Sequence, residues 1–496
     1  MDGQFSPRKD LPPEDLVSMV QSSRLRSSSP QALARTLGLA TTAVILGGVV
    51  GAQTPSDQPP DPPEPGPGAG PRPGDDIPTF AVLGDKTVFA GGDSKGYEPW
   101  VSDGTTAGTL RLRDIASGGS SSPREFTTVG DRVVFSAEGD DGVQRLWRSD
   151  GTPGGTQPLA YADGVVGAEP SDLTLVGERL FFTAVGAGSG RELWVLDGAE
   201  ARMVADLRAG VDASNPRDLT GVGAVLFFTA DDGSSGRELW RSDGTPGGTT
   251  LVRDLHAGAA SSEPYDLVAF AGGVAFAAED GARGFELWHS DGSADGTRLV
   301  AELVEGAAGG DPYGFVASGD QLYFVGSDGA HGFELWTSDG TSAGTRLVQD
   351  LRGGPESSDP EHLTAIPGGV AFSADDGERG REPWRSDGSA DGTFAFDVNR
   401  GAAGSEPRGF LHWNGMVLFS ADDGVSGPEL WRDDGRGAYR VRDLVPGARG
   451  GMPRNLTPVG DSVLFAADHA DAGRGTVLWS TDGTPSWTVV ISWARL

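Results

Sequence analysis

The sequence predicts an all-β fold, a β-propeller of about nine four-stranded blades, on three observations. One unit recurs every 46 to 48 residues from Thr79 onward, and each copy carries a tryptophan three residues before an Asp-Gly pair. The composition, with 78 Gly and 33 Pro in 496 residues and 37% hydrophobic residues, suits short strands joined by turns and excludes a helical bundle. The tryptophans are Trp100, Trp147, Trp194, Trp240, Trp288, Trp336, Trp384, Trp431 and Trp479. The paired aspartates are Asp103, Asp150, Asp197, Asp243, Asp291, Asp339, Asp387, Asp434 and Asp482.

The fourth copy shows the elements in order. Its four runs begin at Asp218 (DLTGVG), Val225 (VLFFTA), Arg237 (RELWRS) and Thr250 (TLVRDL), each rich in β-branched or aromatic residues with turn residues between them. Between the first two runs a glycine-containing pair such as Gly130-Asp131 or Gly177-Glu178 predicts a tight hairpin. Between the third and fourth, the Asp-Gly supplies the positive φ that a hairpin turn needs. A longer loop with a nearly periodic proline (Pro123, Pro170, Pro216, Pro264, Pro312, Pro360, Pro407, Pro453) then leads to the next copy, where the chain crosses from the outer to the inner edge of a blade. Four antiparallel strands in about 47 residues, repeated, make a propeller blade, in which each sheet covers its neighbour's apolar face. The copies are in phase with the ends of the repeat region, so the ring closes by face-to-face packing without an exchanged strand. An eight-bladed ring and an open β-repeat superhelix are the alternatives.

The string from Arg237 to Thr249 (RELWRSDGTPGGT) resembles the repeat of the bacterial ELWxxDGT repeat proteins. It returns nearly intact from Glu286, Glu334 and Glu382, and in weaker form throughout residues 79–496. The resemblance implies an exported bacterial propeller of unassigned molecular activity. The third and eighth copies depart from it, lacking the Gly-Thr after the turn, and predict shorter outer hairpins there.

Ahead of the repeats, residues 1–52 read as a signal peptide or signal anchor. The apolar run 37–52 follows Arg24, Arg26 and Arg35, is short for a membrane span, and ends in Val50-Gly51-Ala52, which fits cleavage after Ala52. Residues 53–78 are a Pro/Gly-rich linker with too few apolar side chains to offset chain entropy. These features place the protein outside the cytoplasm: secreted, periplasmic or on the cell surface, touching membrane only through an uncleaved N-terminal segment.

With no cysteine, disulfides, Cys-ligated metals and thiol catalysis are excluded. A formal charge of -32 repels nucleic acid. The repeated tryptophans read as packing residues between blades, and the Asp-Gly aspartates as acceptors of their own turns' N–H groups. A second acidic loop, between the second and third strands, carries Asp231, Asp232, Asp280, Asp328, Asp375, Asp376, Asp422 and Asp423 beside glycine. Such loops are candidates for Ca²⁺, which takes hard oxygen ligands on a sharply turning backbone, although no copy has EF-hand spacing. No HExxH, GxSxG or phosphate-loop motif occurs, so no catalytic residue is assigned.

Near-identical blades point to a non-enzymatic binding or adhesion module for an extracellular protein or glycan. The competing reading is a secreted glycan-active hydrolase or lyase with its site in the channel. It predicts that residues breaking the repeat, among them Tyr265, Tyr313, Tyr323 and Trp413, converge on the channel.

Overall fold

The structure is a computed structural model describing residues 80–94, 96–162, 167–470 and 475–492. The expected export segment and linker lie outside the described residues. The described chain forms nine sheets, one per sequence copy, arranged as a propeller. Among the described residues, no helix is long and apolar enough to cross a membrane.

Blade four is representative: strands Arg217–Val222, Val225–Asp231, Arg237–Ser242 and Thr250–Arg253 pair antiparallel in that order. The second strand is buried from Leu226 to Ala230 on both faces, because a neighbouring blade covers each side. That is why its sequence is a continuous apolar run instead of an alternating one. Each tryptophan enters the face of the preceding blade. Trp240 packs with Val176, Phe181 and Leu193 of blade three, and Trp288 with Phe227, Leu239 and Val252 of blade four.

The ring closes in the same way. Phe80 and Phe89 of the first blade share a buried cluster with Leu464, Ala466, Leu478 and Ile491 of the ninth, and Trp100 packs against it. The first and last sheets each draw all four strands from one stretch of chain. Among the described residues closure therefore rests on apolar packing without an exchanged strand, and this rules out the open superhelix and the eight-bladed ring.

The third blade differs from expectation by a fifth strand. Ala160–Tyr161 pairs parallel with Glu200–Ala201 on its outer edge. This copy lacks the Gly-Thr extension, its outer hairpin is a tight turn with Asp197 opposite Glu200, and the exposed edge accepts the incoming chain.

In blades one, two and four to seven the outer hairpin is a wider corner whose hydrogen bonds account for the SDGTxxGT (or SDGSxxGT) string. In blade four, Asp243 Oδ1 accepts from the Thr245 N–H (2.9 Å) and hydroxyl (2.7 Å), and Thr245 Oγ1 accepts from the Gly248 N–H (3.0 Å). Ser242 and Thr249 hydroxyls meet at 2.8 Å beneath the turn. The hydroxyl and amide donors hold the carboxyls of Asp103, Asp150, Asp243, Asp291, Asp339 and Asp387 below the usual range. The glycine at the seventh position is obligatory for room, since a Cβ on Gly248 would lie 2.1 Å from Asp243 Oδ1. Gly248→Ala should force the aspartate out of its cap and cost about 1 to 2 kcal/mol in urea unfolding. A neutral result would show that the corner is not rigid.

Candidate functional site in the central channel

The first strand of each blade lines the channel, and its start is irregular. In blades two to nine, the pairing with the second strand slips after one residue, as between Arg124/Ser136 and Thr127/Val134. The residue two positions after the periodic proline is thrown into the left-handed region, with φ between 54° and 67°, in every one of these blades. The residues there are Glu125, Asp172, Asp218, Asp266, Gly314, His362, Gly409 and Asn455. Asp, Asn and Gly tolerate that backbone, which explains the residue types but not their mixture.

The repeat loses its uniformity here and at the residue just before, where Arg124, Ser171, Arg217, Tyr265, Tyr313, Glu361, Arg408 and Arg454 stand. Four successive carboxylates give way to glycine, histidine, glycine and asparagine around one ring. Neighbouring members are linked: Asp266 Oδ2 accepts from the Gly314 N–H at 2.7 Å, and Glu125 Oε2 from the Leu173 N–H at 3.0 Å. Asp172 Oδ2 accepts from the hydroxyls of Ser171 and Thr183, both at 3.0 Å.

The ring tunes its acids toward neutrality. Desolvation in the channel wall, where Glu125 is half-buried, aided by the charge of Asp172, pushes its carboxyl up to about 7. The same cause, aided by Asp266, pushes Asp218 up to about 6. Poor hydration also lowers the pKa of His362, leaving a neutral imidazole at physiological pH, and Arg408 and Arg381 add to this. Such groups are suited to donating and accepting protons near neutral pH.

Where Gly314 contributes no side chain, a cavity of about 160 Å³ opens in the channel wall. It is lined by Asp266 from blade five, Tyr313 and Gly314 from blade six, and Glu361 and His362 from blade seven. A carboxylate and an imidazole, neighbours of a missing side chain, thus face one space.

Of the irregular residues named from sequence, Tyr265 and Tyr313 start channel strands, at Tyr265–Phe270 and Tyr313–Ser318. Tyr323 is instead buried between blades, and Trp413 packs against the cluster of the last two. The ring residues themselves escaped notice, although they stand two positions after each periodic proline from Pro123 to Pro453.

The acidic loops expected to take Ca²⁺ do not assemble a metal site among the described residues. Their carboxylates are engaged locally. Asp232 Oδ1 accepts from the N–H groups of Ser234 (2.8 Å) and Ser235 (2.7 Å), and Asp231 pairs with Arg208 at 2.8 Å. Asp280 binds its own turn and Arg283, Asp328 its turn and His331, and Asp376 its turn and Arg379. Asp375 pairs with Arg352, Asp423 with Arg440, and Asp422 accepts from the Gly424 N–H.

A second carboxylate set, also unremarked in sequence, lies between blades. Glu98, Glu192, Glu238, Glu286, Glu334, Glu382 and Glu429, one residue before the Leu-Trp or Pro-Trp pair, are fully buried. Each accepts backbone N–H bonds from the loop leading to the next blade, as Glu238 does from Leu255 and Ser262. These glutamates clamp the crossing loops and are structural.

No family model matches the chain, and no curated protein does. Among solved structures, the chain is similar to puromycin hydrolase (17% identity over 70% of this chain and 58% of that one, TM-score 0.37). It is similar also to a prolyl endopeptidase (11%, 70% and 54%, TM-score 0.40). A third is the β-propeller domain of the Trilobed protease from Pyrococcus furiosus (11%, 74% and 97%, TM-score 0.38). The chain spans little more than half the length of the first two. The likeness is one of fold. These neighbours are peptidases or parts of them, and not the binding or adhesion modules without catalysis that the uniform blades led one to expect; their activity is said of them and not of this chain.

Proposed function

We propose that the protein is a hydrolase acting in the propeller channel at the Gly314 cavity. The observation that carries this reading is the convergence of non-repeating, pKa-shifted groups on one ring position, while the Trp, the Asp-Gly corner and the apolar second strand recur from blade to blade. A structural role alone asks only for residues that tolerate positive φ, and glycine or asparagine would serve in every blade.

In this reading neutral His362 takes a proton from water as the water attacks. Asp218, whose carboxyl is pushed up to about 6 by burial and by the neighbouring charge of Asp266, returns a proton to the leaving group. The resemblance to ELWxxDGT proteins and the apolar run 37–52 support an exported bacterial protein, so the substrate would be met outside the cytoplasm.

The test is a panel of chromogenic amide, ester and glycoside substrates with the full chain. One member of the panel should be turned over with a bell-shaped pH profile peaking near pH 6, the range where Asp218 titrates. His362→Ala should lower kcat by about 10²- to 10⁴-fold, the usual contribution of a general base. Turnover unchanged in that variant would remove the proposal.

A further inference from the structure

We propose that the outer edge of blade eight is a docking site for a partner protein, which adds an extended segment to it as a fifth strand, apolar along the ladder and acidic at its C-terminal end. This edge lies across the sheet from the channel strand, so the site stands whatever the channel does.

Blade three shows how such an edge is used in this molecule. Blades three and eight both lack the Gly-Thr extension, and they have the two longest outer strands, Glu200–Ala205 and Ala438–Arg442, where the others run two or four residues. In each, the ladder continues to the residue two positions past the tryptophan, with Leu196 opposite Ala201 and Asp433 opposite Ala438. On blade three the edge is covered. Ala160–Tyr161 pairs parallel with Glu200 and Ala201, the Tyr161 ring packs on Trp194 at 6.0 Å, and Ala201 has no exposed surface. On blade eight no further strand pairs with Ala438–Arg442 among the described residues, and Ala438 is partly exposed. A long bare edge presents a row of unpaired N–H and C=O groups, which an extended chain satisfies.

The crevices on both sides of this edge carry aromatic side chains where the repeat elsewhere uses arginine. At the position opposite the residue after the tryptophan, blades three, five and six hold Arg202, Arg298 and Arg346. Each donates to the corner carbonyl of the next blade, at Gly244 (2.8 Å), Gly340 (3.2 Å) and Gly388 (2.9 Å). Blades seven and eight hold Phe394 and Tyr439 instead, 42% and 47% exposed. Directly opposite residues share a sheet face. Phe394 therefore faces blade eight with Arg385, which pairs with Asp433, and Tyr439 faces blade nine with Arg432, which donates to the Gly483 carbonyl. Trp487, 69% exposed, stands in the corner of blade nine where blade four has Gly248. Replacing arginine by an aromatic gives up a bond across the crevice and leaves apolar surface in water, two costs that a covering strand reverses.

The acidic end follows from charge. Between Asp434 and Asp443 the segment carries Arg436, Arg440 and Arg442 and no acid, in a chain of net charge -32. Arg440 is paired with Asp423 at 3.3 Å, whereas Arg442 donates to the neutral carbonyls of Pro485 and Thr488, and Arg436 is exposed in the turn. With Ala438 in the place of Ala201, a parallel strand runs past Tyr439 and Arg440 toward Arg442, so a carboxylate just beyond the apolar residues meets a guanidinium.

The experiment uses the full chain with a synthetic peptide of the sequence of residues 157–163 (QPLAYAD), which contains the strand that covers blade three, and a lysine-ended copy (QPLAYAK) as its control. Hydrogen exchange at low salt reads the binding. Saturating QPLAYAD should slow the amides of Ala438–Arg442 by about threefold or more and leave the outer strands of blades four and five unchanged. Tyr439→Arg installs the residue that blades three, five and six use, so it should melt like the parent and bind QPLAYAD about tenfold more weakly. Phe394→Arg, expected to weaken binding likewise, decides the matter if Tyr439→Arg does not fold. QPLAYAK should also bind more weakly, and the difference should shrink as salt rises. The proposal is overturned by no protection of Ala438–Arg442, by equal protection of the other outer strands, by unchanged affinity in a folded variant, or by equal binding of the two peptides. A dimer of the chain that Tyr439→Arg dissolves gives the edge to a second copy and overturns it as well.

Discussion

Glu238→Ala is expected to destabilise the propeller by about 3 to 5 kcal/mol, because it leaves several buried N–H and O–H donors unsatisfied at about 1 to 3 kcal/mol each. Glu238 has no exposed surface, and its carboxylate accepts from the Ser262 hydroxyl at 2.5 Å and from the N–H groups of Ser262 (2.9 Å), Leu255 (3.2 Å) and His256 (3.4 Å). All of these donors come from the loop that carries the chain into blade five. Alanine would orphan them and leave a void between two blades. Glu238→Gln keeps the volume but turns an amide N–H₂ toward groups that are themselves donors, so its loss should be intermediate. Urea unfolding of the two variants measures both, and an alanine variant within about 1 kcal/mol of the parent would mean that water replaces the carboxylate, contrary to its burial.

The second large effect is on pH dependence. Burial pushes Glu238, Glu286, Glu382 and Glu429 up to about 7 and raises Glu192 and Glu334 as well, while the hydrogen bonds they accept pull the other way. Asp206, Glu302, Asp397 and Asp443 add like charge beside Glu192, Glu286, Glu382 and Glu429 respectively. In the unfolded chain these carboxyls titrate near 4.5. Between that value and about 7 the native state binds more protons, so their contribution is fully present at the acidic end and is lost as pH rises through 7. The corner aspartates act oppositely. With native values held below the usual 3.8, their contribution disappears only as pH falls below that range. Calorimetry should therefore show the melting temperature rising by several degrees from pH 8 to pH 5.5 and falling again in stronger acid. The rise should be shallower in a Glu238→Gln, Glu382→Gln double variant. A flat or inverted profile above pH 5.5 would show that the bound donors, and not burial, set these carboxyls.

The blade was legible because its information is local. The period, the apolar second strand, the Trp and the Asp-Gly corner each depend on residues within one copy, and strands that pair as hairpins are separated by short turns. Even the shortened hairpins of the third and eighth copies follow from missing residues, as Asp433 opposite Ala438 shows in the eighth. Function was read less well, because uniform blades drew attention to what repeats. The informative column was the one that varies, two residues after the proline, and a column-by-column comparison of the copies would have isolated Glu125, Asp172, Asp218, Asp266, Gly314, His362, Gly409 and Asn455. The acidic loops carry a related lesson: composition counts carboxylates but not the N–H groups and arginines that engage them.

The sequence by itself determined the number of units, their strand order and the chemistry of their corners, since these are set by backbone preference and side chains a few residues apart. Tertiary structure alone decided the rest. Whether Phe80 meets Ile491, whether Glu238 meets Ser262, and whether Asp266, Tyr313 and His362 share a cavity depend on contacts that span a blade or the entire ring. Such contacts exist only once every blade has buried the face of its neighbour, and no local preference along the chain records them.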